Sequence, residues 1–239
     1  LVGKVNAAVT RARMADAGRV GNCRIYASVW GLWTGFSGRL VAHLAATEPG
    51  ISVGVEEAGV SGHWKGLRSG AVDLAISSKP PKVFSDLVSE PLIEDSAVAI
   101  LARDHPLAHR STIRLADLKD ELLLLYDSKS INRVDHDLFA EFDKSEFKPA
   151  AVRDVSTSEG LIAMVAGGVG WSLHRRSLMG KIPSVAMIPI EGFHLSYPVA
   201  LVRRRKESRA VVFTVARRIR ELAKKDYPDM YAASEGEVE

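Results

Sequence analysis

Residues 51–76 read ISVGVEEAGVSGHWKGLRSGAVDLAI and contain the pattern that decides the fold. Residues 51–57 alternate in polarity, which predicts a strand, and residues 63–69 predict a helix that ends at Gly70. Residues 72–76 are largely apolar and predict the next strand. A strand, a helix and a strand joined by short turns predict parallel strands with a right-handed crossover.

The same order of elements continues on both sides of this unit. Strands are predicted at 23–28, 97–102, 122–126, 151–155, 171–173, 185–190 and 198–203, helices at 38–47, 132–142, 159–166 and 209–223, and a loop at 30–33. The last strand and helix return to the first unit, so we predict an α/β protein with two Rossmann-like lobes and two crossovers. The predicted lobes are residues 22–102 with 198–226 and residues 103–197, followed by a flexible acidic tail, residues 227–239.

Composition excludes several classes of protein. Apolar residues make up 46% of the 239 residues and charged residues 26%, a balance typical of a soluble globular chain. Every apolar run is interrupted before the ~18 to 20 residues that span a bilayer, so a membrane protein is excluded. The net charge of +3 is spread along the chain and does not indicate a nucleic-acid surface. The single cysteine, Cys23, excludes an intramolecular disulfide and is expected to be a buried apolar residue.

Motifs for catalysis and metal binding are incomplete. Gly59-Val60-Ser61-Gly62 lacks one residue of the G-x-S-x-G nucleophile turn, and Gly168-Val169-Gly170 lacks the third glycine of a dinucleotide site. His105 and His109 are four residues apart, but Pro106 makes their segment a loop, which favours solvated side chains over metal ligands. We therefore predict no catalytic residue, no metal site and no cofactor.

Three histidines and two basic runs each allow two interpretations, a functional role and a structural or solvated one. His63, His174 and His194 fall near predicted element ends, where a histidine is more often structural or exposed than a ligand. The basic runs at residues 203–206 and 217–220 have the charge to contact phosphates, but no aromatic side chains are interleaved with them. Solvated faces are favoured for both runs.

The first 16 residues carry Val2, Val5, Val9 and Ala12 at the spacing of one helical face, and Gly18 is a stop signal. We predict the C-terminal part of a longer helix that begins before Leu1. Further along, the carboxyl ends of the predicted parallel strands are Ser28, residues 58–61, and Ser77 with Ser78. Ligands of such sheets bind beyond these ends, where helix N-termini favour an anionic group.

Several segments together resemble the effector-binding domain of LysR-type transcriptional regulators. The most specific are SGAVDLAI at residues 69–76 and the HPLA loop at 105–108 with LADL at 115–118, and the similarity extends over residues 22–222. The resemblance implies a type II periplasmic-binding-protein-like fold, a cytoplasmic location and a homodimer or homotetramer. It also implies that residues 1–19 are the end of a linker helix, and that DNA is bound only through an N-terminal domain outside this sequence.

The resemblance further implies an effector site in a cleft between the lobes. The implied residues are Ser28, Val29, Trp30, Ser61, Gly62 and Ser77 from the first lobe, and Asp127, Ser128, Ser156, Thr157 and His174 from the second. The short hydroxyls would bind a carboxylate, while Trp30 and Trp171 would pack on a ring. The alternative for each serine is a turn or N-cap role, and the alternative for Trp171 is a place in the core.

The sequence departs from the family pattern in three places. Gly38 and Glu48 stand where the family usually has Pro and an aromatic residue, and His174-Arg175 stand where it usually has Leu-Pro. Either His174 or Arg175 points a positive group into the cleft, or both face water.

The predicted function is an effector sensor that binds a small organic acid and alters DNA binding through subunit geometry. The alternatives are a solute-binding protein of a transporter, which shares the two-lobed fold, and a small two-lobed enzyme. A helix-turn-helix upstream of Leu1 would exclude the transporter protein. Turnover that is abolished by changing His174 or Asp127 would support the enzyme.

Overall fold

A computed structural model describes residues 2–57, 60–80, 83–126 and 133–232. The chain divides into two compact units, the first comprising Leu1–Glu94 with Pro198–Glu239 and the second Asp95–Tyr197. The sequence prediction assigned residues 95–102 to the first lobe. The structure groups them with the second unit, because the strand at residues 97–102 lies at the centre of a three-stranded sheet there.

The elements are numbered in chain order. The first unit contains α1 (Val2–Asp16), β1 (Gly21–Ala27), α2 (Val29–Trp33), α3 (Phe36–Thr47), β2 (Ile51–Glu57), α4 (Val60–Ser69), β3 (Leu74–Ser77) and β4 (Leu87–Ile93) before the chain leaves it, and β10 (Val199–Arg204) and α7 (Ala210–Asp226) after the chain returns. The second unit contains β5 (Ala97–Ala102), β6 (Leu122–Tyr126), α5 (Arg133–Lys144), β7 (Ala151–Val155), α6 (Ser158–Ala166), β8 (Ser172–Arg175) and β9 (Val185–Ile188), with 3₁₀ turns at Leu115–Leu118 and Arg176–Leu178.

The first unit has a mixed sheet with the strand order β2-β1-β3-β10-β4. Strand β1 is parallel to β2 and β3, as the β-α-β pattern predicts, whereas β10 is antiparallel to both β3 and β4. The prediction of a parallel sheet therefore holds for the first three strands only. Strand β10 is reached through the second unit and not through a crossover helix, so the rule that makes sequential strands parallel does not apply to it.

The core of the first unit lies between this sheet and α3 and α7. Alternate residues of β1 are fully buried, and the face of α7 that carries Val212, Val215 and Ile219 is fully buried as well. Burying each such side chain contributes roughly 1.5 to 3 kcal/mol. Cys23 belongs to this core, as predicted, and burial raises the pKa of its thiol to about 12, which keeps the sulfur protonated.

Two segments of the first unit differ from their predictions. The predicted loop at residues 30–33 is part of the short helix α2, and the predicted flexible tail begins with an ordered segment. Tyr227 is only 8% exposed and packs against Trp30 and Phe36, with ring centroids 5.4 and 6.3 Å away, and Tyr231 forms a bridge with Ile93. Long-range packing thus fixes residues 227–232, while residues 233–239 lie outside the described part of the chain.

The second unit has a three-stranded sheet, β8-β5-β9, in which both pairs are antiparallel, and a parallel pair, β6-β7. Every residue of β5 is buried. Trp171 is fully buried and contacts the rings of Phe142 and Phe147. The alternative that placed Trp171 in the core is therefore the one that the structure supports.

The turn that follows helix α1 makes a close contact with the start of α7. Helix α1 is followed by Gly18 in the left-handed region, at a φ of +66°. A Cβ atom on Gly18 would lie 2.7 Å from the carbonyl group of Ala210 and from the Thr214 hydroxyl, so the turn after α1 rests directly on the start of α7.

Candidate functional site

In the first unit, Ser28 and Ser77 lie at the carboxyl ends of neighbouring parallel strands. The register pairs Ala27 with Ile76, and the backbone N–H of Ser28 donates to the Ile76 carbonyl at 2.9 Å. The Ser77 hydroxyl and His63 Nδ1 are joined by a buried hydrogen bond of 2.7 Å. The structure thus brings two predicted site residues together and adds His63, for which the sequence favoured a structural or exposed role.

Trp30 has a structural role that its sequence position does not reveal. Its side chain is 3% exposed and its ring packs against Phe36 and Tyr227, at centroid distances of 5.3 and 5.4 Å. The indole fills the core of the first unit, so the expected stacking of Trp30 on a ligand ring is not supported. Ser28 and Val29, which precede it, are half-buried.

Other predicted residues are placed only in part. Gly62 is half-buried in the first turn of α4, and Ser61 belongs to the same turn, but its side chain is not described. Asp127 and Ser128 lie outside the described residues.

In the second unit, Ser156 and Thr157 follow β7 at its carboxyl end. Thr157 is the N-cap of α6, and its hydroxyl oxygen accepts the N–H of Gly160 at 3.0 Å. Ser156 is exposed. The threonine of this pair therefore caps the helix that the sequence predicts at residues 159–166.

His174 and Arg175 are both half-buried, so neither side chain is fully exposed to water. Burial, followed by the positive charge of Arg175, lowers the pKa of His174 to about 3, so the imidazole is neutral at pH 7. Its Nδ1 accepts the backbone N–H of Arg175 at 2.9 Å, which leaves the ring proton on Nε2. His174 therefore offers a hydrogen bond and no charge.

The guanidinium of Arg175 is engaged within the second unit. It donates to the Tyr197 carbonyl and stacks over the Tyr197 ring, with the guanidinium carbon 5.2 Å from the ring centroid. The only positive charge of the His174-Arg175 pair is therefore bonded to Tyr197 of the same chain.

Each arginine of the basic run at residues 217–220 forms an ion pair with a carboxylate. Arg218 pairs with Glu48 at 2.7 Å, Arg220 with Glu90 at 2.7 Å, and Arg217 with Glu221 at 2.9 Å. In the run at residues 203–206, Arg204 is bonded to Glu207 and donates to the carbonyls of Leu67 and Val72, at 2.8 and 2.7 Å. These arginines stabilise the first unit, which argues against phosphate contacts.

The HPLA loop is fixed by its histidine. Nδ1 of His105 accepts the N–H of Leu107 at 3.1 Å, so Nε2 carries the proton that binds Glu121 at 2.9 Å. His105 is half-buried, whereas the sequence favoured a solvated side chain. Within the described ranges, no three His, Cys, Asp or Glu residues form a group able to hold a metal ion, and no helix is both long and apolar enough to cross a bilayer.

Comparison with known families gives the decisive observation, because residues 18–224 match the LysR substrate binding domain. The chain belongs to the LysR substrate binding domain family. The predicted family and α/β fold class are confirmed, and LysR-type proteins are transcriptional regulators and not enzymes. The chain is thus an effector-binding domain of a LysR-type regulator, and the transporter and enzyme alternatives are not favoured.

Two curated relatives support this assignment. The transcriptional activator CmpR of Synechocystis sp. is 27% identical over 195 residues, which cover 80% of this chain and 62% of that protein. The regulator CfxR of Cupriavidus necator is 28% identical over 160 residues, covering 66% of this chain and 50% of that protein. This LysR domain thus spans about half to two thirds of the length of these relatives.

Solved structures share the fold of this LysR domain. The LysR family regulator CbnR superposes with a TM-score of 0.75 at 20% identity, covering 92% of this chain and 75% of that one. The regulatory domain of Synechocystis PCC6803 CcmR in complex with 2-PG gives 0.71 at 22% identity, covering 85% and 98%. The BenM effector binding domain with its effector benzoate gives 0.70 at 19% identity, covering 86% and 93%.

Proposed function

We propose that this LysR domain senses a small organic carboxylate and passes its occupancy to DNA binding through a change in subunit geometry. The observation that carries the proposal is the family match over residues 18–224. It is supported by the benzoate bound to BenM, because benzoate is a carboxylate and belongs to the ligand class that the sequence indicates.

Two hydroxyl groups support carboxylate binding, one in each unit. Ser28 makes no side-chain bond to the N-terminus of α2, so capping does not use its hydroxyl. Thr157 accepts the N–H of Gly160, which leaves its own hydrogen available to donate. Hydroxyl donors suit an ionised carboxylate because its oxygen atoms only accept hydrogen bonds.

The remaining predicted residues have more limited roles in this proposal. His174 would supply a neutral hydrogen bond, because its pKa of about 3 keeps it uncharged. The Ser77 hydroxyl is hydrogen-bonded to His63, so Ser77 would contribute to the site by orienting the His63 ring. Val29, Trp30, Ser61, Gly62, Asp127, Ser128 and Ser156 stay predicted site residues, with the Trp30 contribution limited to its backbone.

Thermal unfolding against a panel of small carboxylates, benzoate included, tests the proposal. A ligand that binds only the folded state stabilises it by ~2.7 kcal/mol at a hundredfold excess over its Kd. Ser28→Ala should abolish the shift in midpoint without altering the ligand-free midpoint. The control Ser52→Ala, at an exposed serine of β2 that is outside the predicted site, should retain the shift. If no acid shifts the midpoint, or if Ser28→Ala keeps the full shift, the proposed ligand class or site is wrong.

Thr157 needs a variant that separates binding from capping. Thr157→Ala should abolish the shift and also lower the ligand-free stability by about 1 kcal/mol, because the cap of α6 is lost. Thr157→Ser keeps both the cap and the hydroxyl, so it should retain ligand binding. A full shift in Thr157→Ala would remove Thr157 from the site.

The whole regulator needs parts beyond this domain. We propose that another segment of the full protein contacts DNA, since ion pairs hold the arginines of residues 217–220. We also propose that α1 mediates self-association as a dimer or tetramer. Its Val5 and Val9 side chains lie on one face of the helix and are 54% and 44% exposed, an apolar surface that a second copy of the helix would cover.

A further inference from the structure

The chain enters and leaves the second unit through two segments that pair with each other. Asp95 and Ser96 begin the unit, and Ser196 and Tyr197 end it. Ser96 and Ser196 form an antiparallel bridge, and the N–H of Tyr197 donates to the Asp95 carbonyl at 2.7 Å. The N–H of Ala97 donates to the Leu195 carbonyl at 2.9 Å. The two passages therefore form a short antiparallel ladder, here called the crossover ladder.

A third segment, Arg175 to Ser177, bonds to both strands of the crossover ladder. On the entering side, the N–H of Arg176 donates to the Ser96 carbonyl at 2.8 Å. Ser177 donates to the Asp95 carboxylate twice, from its N–H at 3.2 Å and from its hydroxyl. On the leaving side, the Arg175 guanidinium donates to the Tyr197 carbonyl and stacks on its ring.

The two charges at this point are opposite in sign and shielded from water to different extents. Asp95 is 4% exposed and Arg175 is half-buried; burial lowers the pKa of Arg175, while the negative charge of Asp95 acts in the opposite direction. Hydrogen bonds and an opposite charge replace the hydration that a cation loses when it is partly buried. A planar guanidinium that bonds and stacks at once is also more rigid than an ammonium group.

We propose that Arg175 is a positioning residue that clamps the crossover ladder, and that its guanidinium restrains movement where the chain passes between its two units. The crossover ladder is short, with only three residues on each side, 95–97 and 195–197. Such a pair frays readily unless side chains hold it. Arg175 supplies this support on the leaving strand, as Ser177 and Asp95 supply it on the entering strand. The clamp does not depend on the proposed ligand, so it can be tested on the ligand-free protein.

Hydrogen–deuterium exchange of the 239-residue chain tests the clamp. In Arg175→Ala, the Ala97 and Tyr197 amides, which lie in the crossover ladder, should exchange about tenfold faster, the change expected from losing roughly one hydrogen bond's worth of local protection. Amides of the buried face of α7, such as Val212 and Ile219, should keep their wild-type rates. Arg176→Ala is the matched control, since Arg176 is exposed and contributes to the ladder through its backbone.

Two further variants keep the proposal falsifiable if Arg175→Ala does not fold. Ser177→Ala removes one bond to Asp95 and should speed exchange at Ala97 and Tyr197 by a smaller factor. Arg175→Lys keeps the charge but loses the stacked plane, so it should also speed exchange there. Wild-type rates at both amides in every folded variant would overturn the clamp. Exchange that rises by one common factor at the ladder and in α7 would overturn it too, because that result means general destabilisation.

Discussion

Among single residues, Asp73 connects three parts of the first unit through polar contacts. Its carboxylate is nearly fully buried and accepts the backbone N–H of Arg24 at 2.9 Å. It also accepts the guanidinium groups of Arg204 and Arg209, both of which are bonded to Glu207. Burial opposes the ionisation of Glu207, but its bonds to Arg209 and Arg204 outweigh this effect and lower its pKa to about 2, so the Glu207 carboxylate is ionised at pH 7. Asp73 thus joins β1, β10 and the start of α7.

Asp73→Asn should destabilise the first unit. The amide cannot replace all the charge-assisted bonds, and losing one such bond costs about 1.5 to 3 kcal/mol. Urea denaturation measures the effect as a lower midpoint. Asp86→Asn is the control, since Asp86 pairs with Arg68 at an exposed position and should leave the midpoint nearly unchanged. Equal midpoints for Asp73→Asn and the wild type would show that the network contributes nothing.

His174 should make the stability of the domain depend on pH. Its pKa is about 3 in the folded chain and 6.5 in the unfolded one, so only the unfolded state binds a proton as pH falls. The stabilising contribution is complete above pH 6.5 and is lost between pH 6.5 and 3, with about 1 kcal/mol lost by pH 5.5. His174→Asn should therefore unfold with a smaller difference between pH 7.5 and 5.5 than the wild type. An identical pH dependence in both proteins would contradict the burial of a neutral imidazole, and exposed His109→Asn serves as the control.

Among the helices and strands, the contact of α1 with α7 depends on the absence of a side chain at Gly18. Gly18→Ala introduces a Cβ atom 2.7 Å from the Ala210 carbonyl as well as strain at positive φ. Gly70 has a similar φ of +77°, but a Cβ atom there would have no neighbouring atom within 4 Å, so Gly70→Ala isolates the strain. Both should lower the unfolding midpoint, the strain alone by roughly 1 kcal/mol, and Gly18→Ala by clearly more. Equal losses of stability in the two variants would mean that the α1–α7 contact accommodates the added Cβ atom without a cost in free energy.

Elements with local signals were predicted well, and those that depend on distant partners were not. Residues 97–102, 122–126 and 151–155 are apolar or alternating runs bounded by turn residues, and their predicted limits match β5, β6 and β7. Helix α2 is only five residues long, too short for a helical period. No strand was predicted at residues 87–93, where the structure has β4. This strand contains Pro91, which the sheet tolerates because β4 is an edge strand.

The site was predictable to a similar extent. Hydroxyl residues followed by Glu159 indicate a helix N-terminus, and the structure places the cap of that helix at Thr157. The burial of Trp30 against Tyr227 joins residues almost 200 positions apart, and no local pattern contains it. The state of His174 likewise follows from the pairing of β8 with β5.

For the chain as a whole, α1 is the surface on which self-association can be tested. Val5 and Val9 are one helical turn apart and exposed, so a Val5→Glu, Val9→Glu double variant places charge on the apolar face. If α1 mediates the proposed self-association, light scattering after size exclusion should show a lower mass for this variant than for the wild type. Asn6→Glu with Thr10→Glu adds the same charge to the neighbouring face and should leave the mass unchanged. A wild-type mass for the valine variant would contradict pairing through α1.

The position of β10 in the first sheet bears on how the chain is made. β10 lies between β3 and β4, yet it is translated after the entire second unit, and residues 227–231 close the same core later still. During synthesis the second unit, which is continuous in sequence, has all its strands while the first still lacks β10, one of its inner strands. The first unit therefore begins to emerge from the ribosome first but is completed last. About 100 residues are synthesised between β4 and its partner strand β10. A nascent chain stalled before residue 199 should hold a folded second unit beside an open, chaperone-accessible first sheet.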